Sequence, residues 1–303
     1  MKFSIVTPAF NSEAFIRETI ESVVTQKGDF SIEYIVLDNE STDATASIVR
    51  EYQQRLEAGT IHLSCRGVDL EFVSKRDSGM YEAISRGFAN TTGDIYAWIN
   101  SDDVYLPGAF DIVSRTMKAY PKVSWLNGIC PYMNLHSTIF AAGTCRLFRQ
   151  DFVKAGLYGP VLPFIQQEST FWTADLWKKS GGVDPALRLT GDYFLWKRMA
   201  EFAPLVSLNA MLSCFRKTPN QKSADIQKYF SEINAHERPH VKVAGRAWRY
   251  FDRIQRLPRL LRTIAYRIAF GLQPHYLVTL QNGVDPVLLQ DTDFFAMKRT
   301  LMR

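Results

Sequence analysis

Paired cysteines are missing from this 303-residue chain. Cys65, Cys130, Cys145 and Cys214 form no C-x-x-C pair and join no cysteine–histidine cluster at zinc spacing. That speaks against a disulfide framework and a structural zinc, and it fits a reducing compartment. Each of the five histidines reads as a surface or core residue rather than as a ligand. No run of about 18 consecutive apolar residues occurs, so no bilayer-spanning helix is expected. The opening Met1–Pro8 has one basic residue and a short apolar stretch broken by proline, unlike a signal peptide. Gly-x-Gly-x-x-Gly and the P-loop pattern are both absent, which removes the main support for dinucleotide binding or ATP hydrolysis. No long-period repeat is visible. Disorder is excluded by composition, since 46% apolar and 22% charged residues lie near the globular average. The length allows two domains, or one large α/β domain with an appendage.

What is present is unevenly placed. The chain carries +5 overall. Residues 238–267 hold Arg238, Lys242, Arg246, Arg249, Arg253, Arg256, Arg259, Arg262 and Arg267 against the single acid Asp252. The body of the chain is therefore slightly acidic and the basic segment is the part suited to an anionic surface.

Strand and helix patterns alternate through the first hundred residues. Phe3–Pro8, Tyr34–Leu37, Glu71–Ser74 and Ile95–Ile99 read as buried strands. Between and after them, helical apolar spacing runs through Ile16–Val24, Ala44–Leu56, Ala83–Phe88 and Ala109–Met117. This alternation with short links predicts βαβ units and a mostly parallel sheet. Val123–Leu126 and Cys145–Phe148 read as short strands, Ala174–Lys179 and Asp192–Glu201 as helices, and Leu205–Phe215 as extended. From Gln221 the chain reads as helical and increasingly basic. The expected division is a catalytic domain over 1–225 and a basic amphipathic helical region over 226–303.

In open α/β sheets, ligands gather at the carboxyl ends of the strands. Asp38, Asp77 and the pair Asp102-Asp103 fall there. Adjacent carboxylates repel unless a cation or donors compensate, and oxygen ligands without histidine or cysteine suit Mg²⁺ or Mn²⁺. The alternative is that Asp102 and Asp103 cap the helix after Pro107.

Four segments set the wider context: F-S-I-V-T-P-A-F-N at 3–11, Y-I-V-L-D-N-E-S-T-D at 34–43, D-S-G-M-Y-E-A-I-S-R-G at 77–87, and G-D-I-Y-A-W-I-N-S-D-D-V-Y-L-P at 93–107. Q-Q-E-S-T-F-W at 166–172, G-G-V-D at 181–184 and G-D-Y-F-L-W-K-R at 191–198 continue the series. In this order the set resembles the family 2 glycosyltransferases of the GT-A fold, over roughly residues 1–223. The resemblance implies a Rossmann-like α/β domain, a nucleotide-diphosphate-sugar donor and an inverting reaction. It implies donor contacts at Thr7, Ala9, Asn11, Asp38, Asp77, Tyr81, Asn100, Ser101 and Asp102. A metal, Mg²⁺ or Mn²⁺, would be held at Asp102 with Asp103 beside it. Three positions depart from the family pattern: Asn100 replaces the first aspartate of the D-x-D element, Asp38-Asn39-Glu40-Ser41 replaces Asp-Asp-Gly-Ser, and Ile84-Ser85 replaces an Arg-Asn pair that would touch the diphosphate.

Sugar transfer also needs a base against the acceptor hydroxyl. Asp192 stands at the family's base position. By residue type alone an N-cap is the commoner role for an aspartate at a helix start, and the family position is what favours the base. Glu168 is the second candidate, and Gln167, Glu168 and Trp172 are expected on the acceptor side or as shape-forming residues. Lys222, in a loop where relatives close over the diphosphate, is suited to a lid or to a solvated loop.

Ile254, Leu257, Leu261, Ile264 and Ile268 repeat at 3, 4, 3 and 4, one helical face. Arginines flank it, and Trp248, Tyr250 and Phe251 precede it. Such helices lie in the headgroup plane of anionic bilayers, here through residues 238–270. Packing on the catalytic domain is the alternative, and no motif supports nucleic-acid binding. Together these features lead to the expectation of a metal-dependent glycosyltransferase held peripherally at the cytoplasmic face of the plasma membrane. Its acceptor would be a saccharide, lipid-linked for instance through polyprenyl diphosphate. The rival is a non-catalytic nucleotide-sugar-binding scaffold. A sugar-1-phosphate nucleotidyltransferase would need a Gly-rich basic loop after the first strand, and Asn11-Ser12-Glu13 is not one.

Overall fold

The computed structural model describes residues 1–219, 221, 225–237, 274–291 and, between the last two, residues 253, 254, 256–258, 261, 264 and 265. Its first half alternates as the apolar runs predict: β1 (Lys2–Ala9), α1 (Ile16–Val24), β2 (Ser31–Asp38), α2 (Thr45–Glu57), β3 (Gly67–Ser74), α3 (Met80–Phe88), β4 (Ile95–Trp98), β5 (Val104–Tyr105) and α4 (Ala109–Ala119). β1 pairs in parallel with β2 and β4, and β2 with β3.

The second half adds β6 (Trp125–Ile129), β7 (Tyr132–Met133), β8 (Ile139–Ala141), α5 (Gln150–Lys154), a 3₁₀ turn at Gln167–Ser169, β9 (Thr170–Thr173), α6 (Ala174–Ser180), α7 (Gly191–Phe202), β10 (Val206–Met211) and β11 (Ser213–Arg216). Residues 145–148, expected as a strand, have no strand structure. Last come α8 (Ile226–His236), β12 (His275–Gln281) and β13 (Asp285–Asp291). Among the described residues one sheet runs β13-β12-β10-β6-β9-β4-β1-β2-β3, with β5-β11-β7-β8 as a smaller one. β9 lies antiparallel between β4 and β6, so its start meets the carboxyl end of β4.

Side-chain alternation along β1 divides the core. Phe3 and Ile5 pack with α1, α2 and α4, whereas Val6 packs with α3, α6 and α7. The second layer holds an aromatic cluster. Trp98 stacks on Trp196 at 5.9 Å and meets the edge of Trp172 at 5.3 Å. Truncating such a buried ring costs about 3–5 kcal/mol.

The C-terminal region departs from expectation. The boundary expected at 225/226 does not separate a helical appendage from the α/β body, because β12 pairs in parallel with β10 inside the main sheet and β13 extends it. Of the anticipated apolar stripe, Ile254 is buried, while Leu257, Leu261 and Ile264 are exposed. Lys222, Ile268 and most of the basic segment lie outside the described residues.

Candidate active site

The loops after β1, β2, β3 and β4, the 3₁₀ turn before β9 and the start of α7 carry the anticipated residues. Loop-to-loop hydrogen bonds knit them together. Asn11, in the left-handed region at φ 47°, donates its N–H to Ser41 Oγ (2.8 Å), and its Oδ1 accepts Thr42 N–H (2.9 Å). Asparagine tolerates that conformation better than most residues. Asn39 Oδ1 accepts Asp77 N–H at 2.8 Å, and Asp77 Oδ1 accepts Gly79 N–H at 2.9 Å. Ser12 and Ser101 share a hydroxyl hydrogen bond of 2.7 Å.

Several expected donor contacts point inward. Thr7 is fully buried, its hydroxyl 3.0 Å from that of Tyr34. Ala9 is buried in the β1–β2 ladder, and its carbonyl accepts Asn39 N–H at 2.9 Å. Asp38 is also fully buried, accepting from Ser41 N–H (3.1 Å), the Ser41 hydroxyl and Ser74 Oγ (2.6 Å). Its oxygens shape the 38–41 loop, a local turn chemistry common for aspartate, so in this arrangement it is not a base or ribose contact. Of these residues, Asn11 is exposed and Asp77 half-buried at the site's surface.

Asp102 and Asp103 have separate environments. Asp102 is half-buried, with its carbonyl bound by Arg216 Nε at 2.7 Å. Asp103 is 1% exposed; its Oδ1 accepts Arg216 N–H (2.7 Å) and its Oδ2 accepts Asn100 Nδ2 (3.2 Å). Burial, then the charges of Glu168 and Asp102, push the Asp103 carboxyl well above the usual range. Asp103 is thus an interior tie between the β4 loop and β11, not a metal ligand. Among the described residues no group of three histidine, cysteine or acidic side chains is placed to hold an ion. The arrangement fits Mg²⁺ or Mn²⁺ only in the sense that such ions accept one or two protein carboxylates and take their other ligands from substrate phosphates and water. Asp102 would be that carboxylate.

The acceptor-side expectations divide as well. Trp172 is fully buried in the aromatic cluster and paired in β9, so its role is shape alone. Gln167 is buried and donates Nε2–H to the Trp98 carbonyl at 2.6 Å, tying the turn to the end of β4. Glu168 is 5% exposed, and its Oε2 is buried with no hydrogen-bond partner. Burial, helped by the charges of Asp192 and Asp102 and opposed by its own backbone N–H, pushes it up to about 7.

Asp192 lies in the first turn of α7, whose N-cap is Thr190, so Asp192 is not the cap. Its Oδ1 accepts the Tyr81 hydroxyl at 3.3 Å, and the same hydroxyl lies 3.1 Å from the Leu189 carbonyl. Burial raises the carboxyl to about 6, with Glu232 adding to the rise and the Tyr193 N–H and Tyr81 opposing it. Gly191 makes this approach possible: a Cβ there would lie 2.6 Å from the Tyr81 ring. A carboxylate poised near neutrality is suited to proton abstraction.

Two further residues bear on the site. Arg216, 1% exposed, bonds the Asn134 carbonyl (3.2 Å), Ser137 Oγ (2.9 Å) and Glu18 Oε2 (2.8 Å) besides Asp102, and its guanidinium stacks 4.4 Å from the Phe15 ring centroid. Arg188 is exposed and lies against Gly79, where a Cβ would come within 2.6 Å of its Nη1. It brings a cation to the edge of the site, although α3 carries Ile84-Ser85 in place of the arginine pattern.

Comparison with known proteins agrees with this architecture. Residues 4–134 match the family described as Glycosyl transferase family 2. An uncharacterized glycosyltransferase of Rickettsia typhi is 26% identical over 199 residues, 64% of this chain and 57% of its own length. The chain therefore spans little more than half of that relative. An uncharacterized glycosyltransferase of Mycobacterium tuberculosis is 25% identical over 221 residues, 71% of this chain and 75% of its own. The crystal structure of S. aureus TarS 1–349 in complex with UDP-GlcNAc superposes with a TM-score of 0.56 at 14% identity, covering 88% of this chain and 87% of that one. Residues 4–134 thus carry the segment that matches Glycosyl transferase family 2, and the likeness to the TarS structure shows that the chain has the GT-A fold.

Proposed function

We propose that the chain transfers a sugar, with inversion, from a nucleotide-diphosphate-sugar to a hydroxyl of a saccharide acceptor, Asp192 being the general base. The observation that carries this is the Asp192 carboxylate, raised to about 6, held by Tyr81 and placed on the sheet edge that also carries Asp102. In the reaction the acceptor O–H proton passes to Asp192. The acceptor oxygen then bonds the anomeric carbon from the face opposite the diphosphate, whose C–O bond breaks and leaves a nucleoside diphosphate. The UDP-GlcNAc held by TarS supports a nucleotide-sugar donor. Mg²⁺ or Mn²⁺ at Asp102 would neutralise charge on the departing diphosphate.

A membrane-bound position with a lipid-linked acceptor belongs to the same proposal. It rests on the basic composition of residues 238–270 and on the exposure of Leu257, Leu261 and Ile264, at 38%, 55% and 50%. Apolar side chains flanked by arginine suit the headgroup boundary of the inner leaflet.

Calorimetry against a panel of UDP-, GDP- and dTDP-sugars, with and without Mn²⁺, tests the donor assignment. Asp102→Ala is expected to remove the metal-dependent part of donor affinity while the protein stays folded. Unchanged donor and Mn²⁺ affinity would refute Asp102 as the metal residue. Metal-dependent binding of a donor without its hydrolysis or transfer would favour a scaffold.

A further inference from the structure

α8 stands outside the segment that the family matches, yet it reaches the base. Glu232 Oε1 accepts Arg188 N–H at 2.8 Å. Its Oε2 accepts Leu189 N–H (2.8 Å), Thr190 N–H (2.8 Å) and the Thr190 hydroxyl (2.7 Å). Three consecutive backbone N–H groups and a hydroxyl thus converge on one carboxylate. Burial opposes the charge on Glu232, but these donors outweigh it and hold the carboxyl below its usual range. The N-cap residue Thr190 makes no cap bond to its own helix; its hydroxyl goes to Glu232 instead. A carboxylate at the positive end of α7 is the favourable placement for a negative charge.

The rest of α8 is fitted to this task. Asp225 caps it by accepting Lys228 N–H at 3.1 Å. Tyr229, three residues before Glu232 and so on the same face, packs edge-on against Phe164 at 5.3 Å. Glu237 pairs with Lys197 of α7. The clamped residues are the ones around the base: Leu189 offers the carbonyl that Tyr81 binds, and Asp192 follows Thr190 by two positions.

We propose that Glu232 is a positioning residue for Asp192: from α8 it fixes the loop that starts α7 and so holds the Asp192 carboxylate on the Tyr81 hydroxyl. This rests on Asp192 being the base. Without the clamp, Arg188, Leu189 and Thr190 lose a shared acceptor, and the turn that aims Asp192 relaxes. A misplacement of about 1 Å near the chemistry can cost about 100-fold in rate.

The groups facing Asp192 are Tyr81 from α3, Glu168 from the 3₁₀ turn, Tyr193 within α7, and Tyr229 and Glu232 from α8. Arg188 lies on the loop before them. Glu232 raises the Asp192 carboxyl through its charge, so removing that charge lowers it.

Glu232→Gln, Glu232→Ala and Asp192→Asn are compared with the full-length protein. Two readouts are used: ¹³C NMR titration of aspartate-labelled protein, and kcat against pH for UDP-GlcNAc or whichever panel sugar is turned over. In Glu232→Gln the Asp192 titration and the acid limb of kcat should both move below the wild-type position near 6. In Glu232→Ala, kcat should fall about 10- to 100-fold, with donor KM within about twofold of wild type. A lowered Tm with an unmoved Asp192 titration and unchanged kcat per folded molecule would overturn the inference, leaving Glu232 a structural tie alone. Glu232→Gln keeps the side-chain length and one acceptor oxygen, so it decides the matter if Glu232→Ala fails to fold. Wild-type turnover by Asp192→Asn would instead sink the base assignment, and the NMR arm would still report whether Glu232 holds that carboxylate.

Discussion

Asp192→Asn should make the protein more stable and far less active, and the two effects have one cause. Burial in the folded state raises this carboxyl from its ordinary 3.8 to about 6. At about 1.4 kcal/mol per tenfold change, that difference corresponds to about 3 kcal/mol of unfavourable ionisation at neutral pH. The sign follows from linkage. A carboxyl that titrates higher when folded contributes stability in full below its unfolded value, and has lost it once the pH has passed the folded value near 6. Asparagine keeps an oxygen for the Tyr81 hydroxyl and carries no charge. The variant should therefore match wild type near pH 4, gain on it between pH 4 and 6, and stay ahead above that. At about 2–4 °C per kcal/mol, its Tm at pH 7.5 should be higher by roughly 5 °C or more. Turnover should fall by about 10²–10⁴, as for loss of a general base, with donor affinity little changed. Thermal unfolding of both proteins from pH 4 to 8, beside donor turnover, provides the measurement. Parallel stability curves at every pH would show that Asp192 is not ionised against a burial cost. Near wild-type turnover would transfer the role, with Glu168 the next candidate.

Gly191→Ala should force the Tyr81 ring away from α7, lowering kcat about 10- to 100-fold by displacing the hydroxyl that holds Asp192; steady-state kinetics beside Tm would check it, and a normal kcat would mean the ring is not needed. Arg216→Ala should cost about 3 kcal/mol or more, since it strips the guanidinium from Glu18 and from the Asp102 and Asn134 carbonyls; urea unfolding measures this, and a loss below about 1 kcal/mol would place Arg216 among weak surface pairs. For the membrane proposal, Arg249, Arg253, Arg256, Arg259 and Arg262 changed together to Gln should weaken co-sedimentation with anionic vesicles, each charge near the surface being worth about 1 kcal/mol. Added salt should weaken wild-type binding without abolishing it. Equal sedimentation of both proteins, or none, would count against the membrane proposal.

The sequence made the βαβ succession legible because β-branched runs and helical spacing are local signals. It also put Asp102 in the loop after the fourth strand and Asp192 at the start of a helix, where the structure has them, since strand and helix ends are countable. It could not say which way side chains turn once a strand has ended. Thr7 and Asp38 stand where nucleotide contacts would be expected, yet Tyr34 and Ser74 claim their oxygens from neighbouring strands. Trp172 and Gln167 look like sugar-binding types, but strand pairing and the Trp98 carbonyl turn them inward. Arg216 with Glu18, and Glu232 with the loop before α7, join residues too distant in sequence for spacing to reveal. The β12–β13 hairpin did carry a signal: Asn282-Gly283 between apolar runs is a strong hairpin marker. Both residues have positive φ, 52° and 72°, and the helical, basic character of the preceding stretch obscured it.

That hairpin changes what the basic stretch is mechanically. α8 and β12 both belong to the α/β body, α8 bonded through Glu232 to the loop before α7 and β12 hydrogen-bonded to β10. The basic stretch is therefore flanked on both sides by elements of that body. Severing the chain at either flank would be damaging, since it would free an edge of the main sheet or loosen the helix bonded to the loop before α7. A surface that captured this stretch would hold the protein through two attachment points. That would restrict its rotation and keep one aspect of the sheet edge turned toward whatever the surface presents.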